Sequence, residues 1–164
     1  MELRHWTLLD IMELTNLCNV VDRRFLSDRL PYPYTEKDAE EWLKMVTDND
    51  TITGIYRAIV CDGKLIGSIS VEKKDDDAEI GYMLLNEYSN KGIGTEAVRQ
   101  VCSIAFKILS LEHITANVFQ PNIASMRVLL KNDFKYKGAI PNAVIKDGYV
   151  YDLLIYVLNE KGRR

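Results

Sequence analysis

The sequence predicts a mixed α/β fold, with a mostly antiparallel central sheet flanked by helices. Three observations predict it. Residues 54–85 carry the two-residue period of strands around an Asp62-Gly63 turn signal, the pattern of an antiparallel meander. A strand at 78–85, a polar loop with Gly92 and Gly94, and an amphipathic helix to Leu109 lead into another strand at 114–119. Such a helical crossover sets the two strands parallel. A further hairpin, 143–146 and 149–158, turns at Asp147-Gly148.

Residues 2–7 read as a short strand, and Thr7 can cap a helix reaching about residue 21, with Leu8, Ile11, Met12, Leu14 and Leu17 at helical spacing. A second helical piece is expected at 22–28. Leu30-Pro31-Tyr32-Pro33-Tyr34 cannot be regular helix, because each proline pushes its predecessor out of the helical region. This stiff aromatic loop has two readings: a connector packed on the core, or a wall of a substrate cleft carrying Tyr32 and Tyr34. Thr35, with Asp38 three residues on, resembles a capping box and opens a helix to about residue 46.

From Gly54 the period changes to that of strands, at 55–61 and 64–72, with Leu65, Ile69 and Val71 as apolar positions. The acids of 73–77 are read as a solvated turn with no site attached. In the next strand Ile80, Tyr82 and Leu84 alternate with Glu79, Gly81 and Met83, which suits partial burial on both faces. From Thr95 an apolar stripe of Val98, Val101, Cys102, Ala105, Phe106 and Leu109 marks the long helix. Asn122 caps a helix to about residue 131. Residues 161–164 form a basic tail.

At 164 residues, with 47% hydrophobic and 27% charged content, the chain has the bulk and composition of one domain, 1–164. A net charge of −3 gives no general attraction for nucleic acid or an anionic membrane. No run reaches transmembrane length. Cys18, Cys61 and Cys102 stand singly in apolar surroundings, as reduced thiols of a cytoplasmic protein do. Two scattered histidines, His5 and His113, make no metal site. Monomer and homodimer both remain open.

The loop between strand and long helix is the chemical signal. Consecutive amides from Asn90 through Lys91, Gly92, Ile93 and Gly94 to Thr95 have no helical partner, and the positive end of the helix dipole faces them. Glycine at 92 and 94 lets the main chain approach a ligand, so the loop predicts an anion site, most simply for phosphate. A bare tight turn is the competing reading. Although GIGTEA fits the dinucleotide fingerprint, a spacer separates it from its strand and Glu112 precedes the next strand. No Lys-Ser/Thr follows Gly94, which excludes a P-loop.

Together, LPYPYTEKDAEEWL, YRAIVCDGKLIGSISV, AEIGYMLLNEYSNKGIGTEAV, NIASMRVLLKNDF and KDGYVYDLLIY resemble, in order, the GNAT superfamily of N-acetyltransferases, and most closely its ribosomal-protein N-terminal acetyltransferase branch. The resemblance implies the GNAT fold and an enzyme using acetyl-CoA as cosubstrate, with no metal. It places the cofactor pyrophosphate on residues 90–95, the pantetheine along Met83, Leu84 and Leu85, and Asn122 and Ser125 against the cofactor. The acceptor it implies is a primary amine, possibly a protein N-terminus; a small-molecule acetyltransferase and a non-catalytic acyl-CoA sensor stay open. Four positions depart from the family pattern: Ser89 in the loop, Asp133 for a common glycine, Leu129 for a tyrosine acid and Asn117 for a glutamate base. The last two roles do not transfer.

Acyl transfer needs a deprotonated amine, a stabilised oxyanion and a departing thiolate. Glu79 is the base expected from its place on the central strand, against a purely structural reading. Main-chain amides near Met83–Leu85 supply the oxyanion donors. Tyr82, Tyr151 and Tyr156 are the candidate acids, with Tyr156 carried forward.

Overall fold

The computed structural model describes residues 1–160; the basic stretch at 161–164 lies outside them. One seven-stranded sheet runs in the order β1-β2-β3-β4-β5-β7-β6. Its first four strands are the expected meander: β1 (Glu2–Arg4), β2 (Gly54–Cys61), β3 (Lys64–Lys74) and β4 (Asp77–Leu84), each antiparallel to the last. Asp62 and Gly63 take φ of 50° and 77°, the two left-handed residues a tight hairpin turn needs. The charged turn is shorter than expected. Asp77, though half-exposed, is also engaged: one carboxylate oxygen lies 3.0 Å from His113 Nε2, and the other accepts from Thr115 Oγ1 at 2.8 Å. That acid fastens the start of β4 to the parallel strand beside it.

A 3-10 turn at Leu8–Asp10 leads into α1 (Ile11–Val20), and Thr7 and Asp10 form a capping box at its start. A second box, Thr35 with Asp38, opens α2 (Glu36–Asn49), which runs a turn further than the sequence predicts. The helix expected at 22–28 does not form. Arg23 instead donates to the carbonyls of Cys18 and Leu30, and the Asp22 carboxylate accepts from the Arg24 amide at 3.0 Å. Side chains there satisfy the backbone locally and compete with helix.

Beyond β4 come α3 (Ile93–Leu109), β5 (His113–Phe119), α4 (Ile123–Lys131), β6 (Lys135–Lys146) and β7 (Tyr149–Asn159). Asp133 adopts φ 64°, a left-handed geometry that aspartate tolerates better than most non-glycine residues. β6 begins well before the expected residue 143 and carries two register shifts against β7. One apolar core lies between the sheet and the α3/α4 side, with Ile69, Ile80, Val98, Ile114 and Leu129 fully or nearly buried. The other, with Leu14, Leu17, Tyr34, Leu43 and Tyr56, lies under α1 and α2.

β4 and β5 are parallel, as expected, but pair only at Glu79–Thr115 and Ile80–Ala116. β5 then follows β7 along its whole length. Past Ile80 the two central strands therefore separate, and the sheet opens at a seam.

Candidate active site

Gly81 and Asn117 are exposed although both sit on central strands, which marks the seam as uncovered. Alternation fixes what β4 offers there. The Leu85 amide donates to Ile66 O at 2.9 Å, and a Cβ on Gly67 would collide with the Met83 carbonyl, so residues 81, 83 and 85 turn their backbone toward β3. The amides of Tyr82 and Leu84 consequently face the seam, where β5 no longer supplies acceptors. Side chains alternate too: Tyr82 and Leu84 pack against the α3/α4 core, Met83 and Leu85 against the other.

At the mouth of the seam Asn90 (φ 58°) and Gly92 (φ 79°) turn the chain into α3. The first helical bond runs from the Glu96 amide to Gly92 O, 3.0 Å. The amides of Ile93, Gly94 and Thr95 thus have no helical acceptor. A Cβ at Gly92 would meet nothing within 4 Å, and one at Gly94 only Val128 Cγ2 at 3.6 Å, so the space in front of both is open. Lys91 Nζ sits 5.5 Å above the Tyr88 ring. Glu96, an acid in this first turn, is turned to Arg99 and Gln100, and the bond from Arg99 chiefly holds its carboxyl down to about 2.

Three elements converge behind this loop. Asn132 Nδ2 donates to Thr95 O at 3.1 Å, tying α4 to α3. Asn122 Oδ1 caps α4 by accepting from the Ser125 amide at 3.2 Å, and Ser125 Oγ lies 2.7 Å from the Tyr82 hydroxyl of β4. Burial pushes that hydroxyl up to about 12. The predicted loop, the end of β4, Asn122 and Ser125 are therefore brought together.

The remaining expectations separate. Glu79 stands on β4 two residues from the seam, ion-paired to Lys74. Directly across the ladder is Glu72, which the sequence analysis missed. Counting back from the 75–76 turn would have placed the two carboxylates opposite each other. Tyr156 is only 5% exposed, packed in the core with its ring 5.7 Å from that of Tyr136, and burial raises its hydroxyl above the ordinary tyrosine value. In this structure it packs as a core aromatic. Tyr34 is likewise core, held by paired bonds between its backbone and the Asn19 side chain. Of the two loop tyrosines only Tyr32 is exposed, with the Arg23 guanidinium 5.2 Å from its ring centre. Leu129 is fully buried.

A sheet parted between its central strands, with bare helix-start amides at the opening, defines the GNAT class of fold. The sequence profile described as "Acetyltransferase (GNAT) domain" matches residues 1–135, and the chain belongs to this family. It is 36% identical over 96 residues to the uncharacterised N-acetyltransferase YoaA of Bacillus subtilis, a match spanning 57% of this chain and about half (54%) of YoaA. It is 30% identical over 128 residues to YdaF of the same organism, provisionally named a ribosomal N-acetyltransferase, covering 76% of this chain and 68% of YdaF. In fold it is similar to RimL, a ribosomal L7/L12 alpha-N-protein acetyltransferase solved with coenzyme A. The TM-score is 0.85 over 96% of this chain and 92% of RimL, at 17% identity. Among the described residues no helix is long and apolar enough to cross a membrane, and no cluster of three metal-ligating side chains occurs.

Proposed function

We propose that this protein transfers the acetyl group of acetyl-CoA to a primary amine, acting as one catalytic domain over 1–164 in the cytoplasm. A protein N-terminus is the acceptor suggested by the names of YdaF and RimL. The observation that carries this reading is the seam with the open amides of residues 90–95 at its mouth. Those amides and the α3 dipole suit a diphosphate, Lys91 adds a positive charge, and Asn122 and Ser125 flank it. The free edge of β4 at Met83–Leu85 suits the pantetheine arm, which would pair there as an added strand does.

The seam-facing donors are the amides of Leu84 and Tyr82. One bonds the pantetheine amide and the other polarises the thioester carbonyl, stabilising the oxyanion as nitrogen attacks. Glu79, directly or through one water, takes the proton the amine must lose. When the carbon–sulfur bond breaks, coenzyme A leaves as a thiolate and takes a proton from water. An alkyl thiol near pKa 8.5 needs no dedicated acid, and a tyrosine at about 12 would donate uphill. Catalysis here is mainly alignment of thioester and amine, which can contribute several kcal/mol.

Thiol release from acetyl-CoA across a panel of amines tests this. Turnover with N-terminal peptides supports the protein acceptor, and turnover confined to small amines moves the acceptor to that class. Binding of coenzyme A without any turnover would make the protein a sensor.

A further inference from the structure

The face of the sheet away from α3 and α4 divides by chemistry. On β4, Glu79 lies opposite Glu72 of β3, and the carboxylate pair marks the polar end. Across the seam the face turns apolar. Ala116 and Val118 of β5 and Leu154, Tyr156 and Leu158 of β7 face the α3/α4 core, so Phe119, Tyr151 and Leu153 lie on the opposite, open face. Each of these three is only partly buried.

The loop between α1 and α2 roofs this apolar end. Tyr151 stacks on Phe119 with ring centres 6.4 Å apart, and Phe25 from the loop meets Tyr151 edge-on at 6.4 Å. The roof is latched by Lys146, a buried ammonium that donates to Leu26 O at 2.9 Å and to Asp28 Oδ1 at 2.7 Å. Two carboxylates of the roof are already engaged: Asp28 by Lys146 and Asp22 by Arg24. The Arg24 guanidinium lies 5.5 Å from the Phe25 ring centre, so a cation already stands over the roof. A second positive charge on an acceptor would meet aromatic rings there, with the carboxylates of Asp28 and Asp22 already held by Lys146 and Arg24.

We infer that the acceptor is a primary amine attached to an uncharged apolar or aromatic group, which Tyr151, Phe119 and Phe25 select. The amine nitrogen sits at the seam near Gly81 and Asn117, with Glu79 and Glu72 on its polar side, and the attached group reaches the aromatic wall. Phe119 is level with Met83 in the parallel register, about 7 Å further along than Gly81, which is the reach of one large side chain. This inference rests on the acetyl-transfer reading above. The same chemistry is found at a peptide N-terminus with an apolar first residue and in a small arylalkylamine.

The test measures kcat/KM for thiol release with a phenylalanine-first peptide, a leucine-first peptide, phenethylamine and spermidine. The apolar-flanked amines are expected to exceed spermidine at least tenfold, and peptide against phenethylamine separates the two sources. Tyr151→Ala should shrink that ratio about tenfold and Tyr151→Phe restore it. Lys146→Met, which loosens the roof, should raise KM for the apolar-flanked amines more than it lowers kcat, with acetyl-CoA affinity retained. A preference for spermidine, or a Tyr151→Ala enzyme of native thermal stability with an unchanged ratio, overturns the inference while leaving acetyl transfer standing. Release with none of the amines would fell the acetyl-transfer reading itself.

Discussion

The two halves of the sheet are built on different terms. From β1 to β4, neighbours in sequence are neighbours in space, and β2 is buried along nearly its whole length. β6, at the far edge, is exposed along most of its length and slips register twice. Only two residue pairs join β4 to β5. Burial is most continuous along β2, while β6 presents surface, and the site lies where the two halves part. A sheet can open between central strands without unfolding because α3 and α4 hold one face of both halves in a single core.

The first way to break this contrast is to truncate each half. Leu43→Ala, at a fully buried α2 position under the meander, is expected to cost about 2–5 kcal/mol in chemical denaturation. Ile145→Ala on β6, 71% exposed, should stay within about 0.5 kcal/mol. Similar losses at both would mean that the C-terminal arm carries as much of the core as the meander.

At the boundary, Glu79→Gln should lower kcat about 100-fold, alter the pH–rate profile and leave acetyl-CoA affinity unchanged. An unaltered profile would return Glu79 to the structural pairing with Lys74.

A smaller effect sharpens the N-terminal side. Burial disfavours the ionised Asp10, but the Arg4 guanidinium and the Thr7 amide outweigh it and hold the carboxyl below its ordinary value. A folded-state pKa below the unfolded one adds stability above the unfolded value, about 4, and that stability is lost as pH falls through the folded value. Asp10→Asn should therefore be less stable than the parent at pH 7, and the gap should close in acid. Thermal unfolding from pH 7 to 2.5 measures it; a constant gap would deny the carboxylate that role.

Local chemistry was legible in the sequence. Asp62-Gly63, the Thr35–Asp38 box and the Asn122 cap each act within a few residues, so their residue types suffice. The glycine loop was legible for the same reason, since bare amides and missing Cβ atoms are local facts. The false helix at 22–28 came from competing side-chain bonds. Local ones run from Arg23 to Leu30 and from the Arg24 amide to Asp22, and distant ones from Lys146 draw Leu26 and Asp28 toward β6. The burial of Tyr34 and Tyr156 was not legible, because an aromatic residue reads the same in sequence whether it packs or lines a cleft. The seam itself is invisible locally, because nothing in β4 or β5 alone says where their pairing stops.

Calorimetric titration of coenzyme A into the parent and Gly92→Val proteins bears most directly on the loop. A Cβ at residue 92 meets no protein atom within 4 Å, so a branched side chain there projects into the open space in front of the amides. The parent should bind and the variant should bind at least tenfold more weakly, with circular dichroism and the melting temperature reading separately any strain at φ 79°. Equal affinity in the two proteins, or no binding by the parent, would contradict an anion site built from these amides.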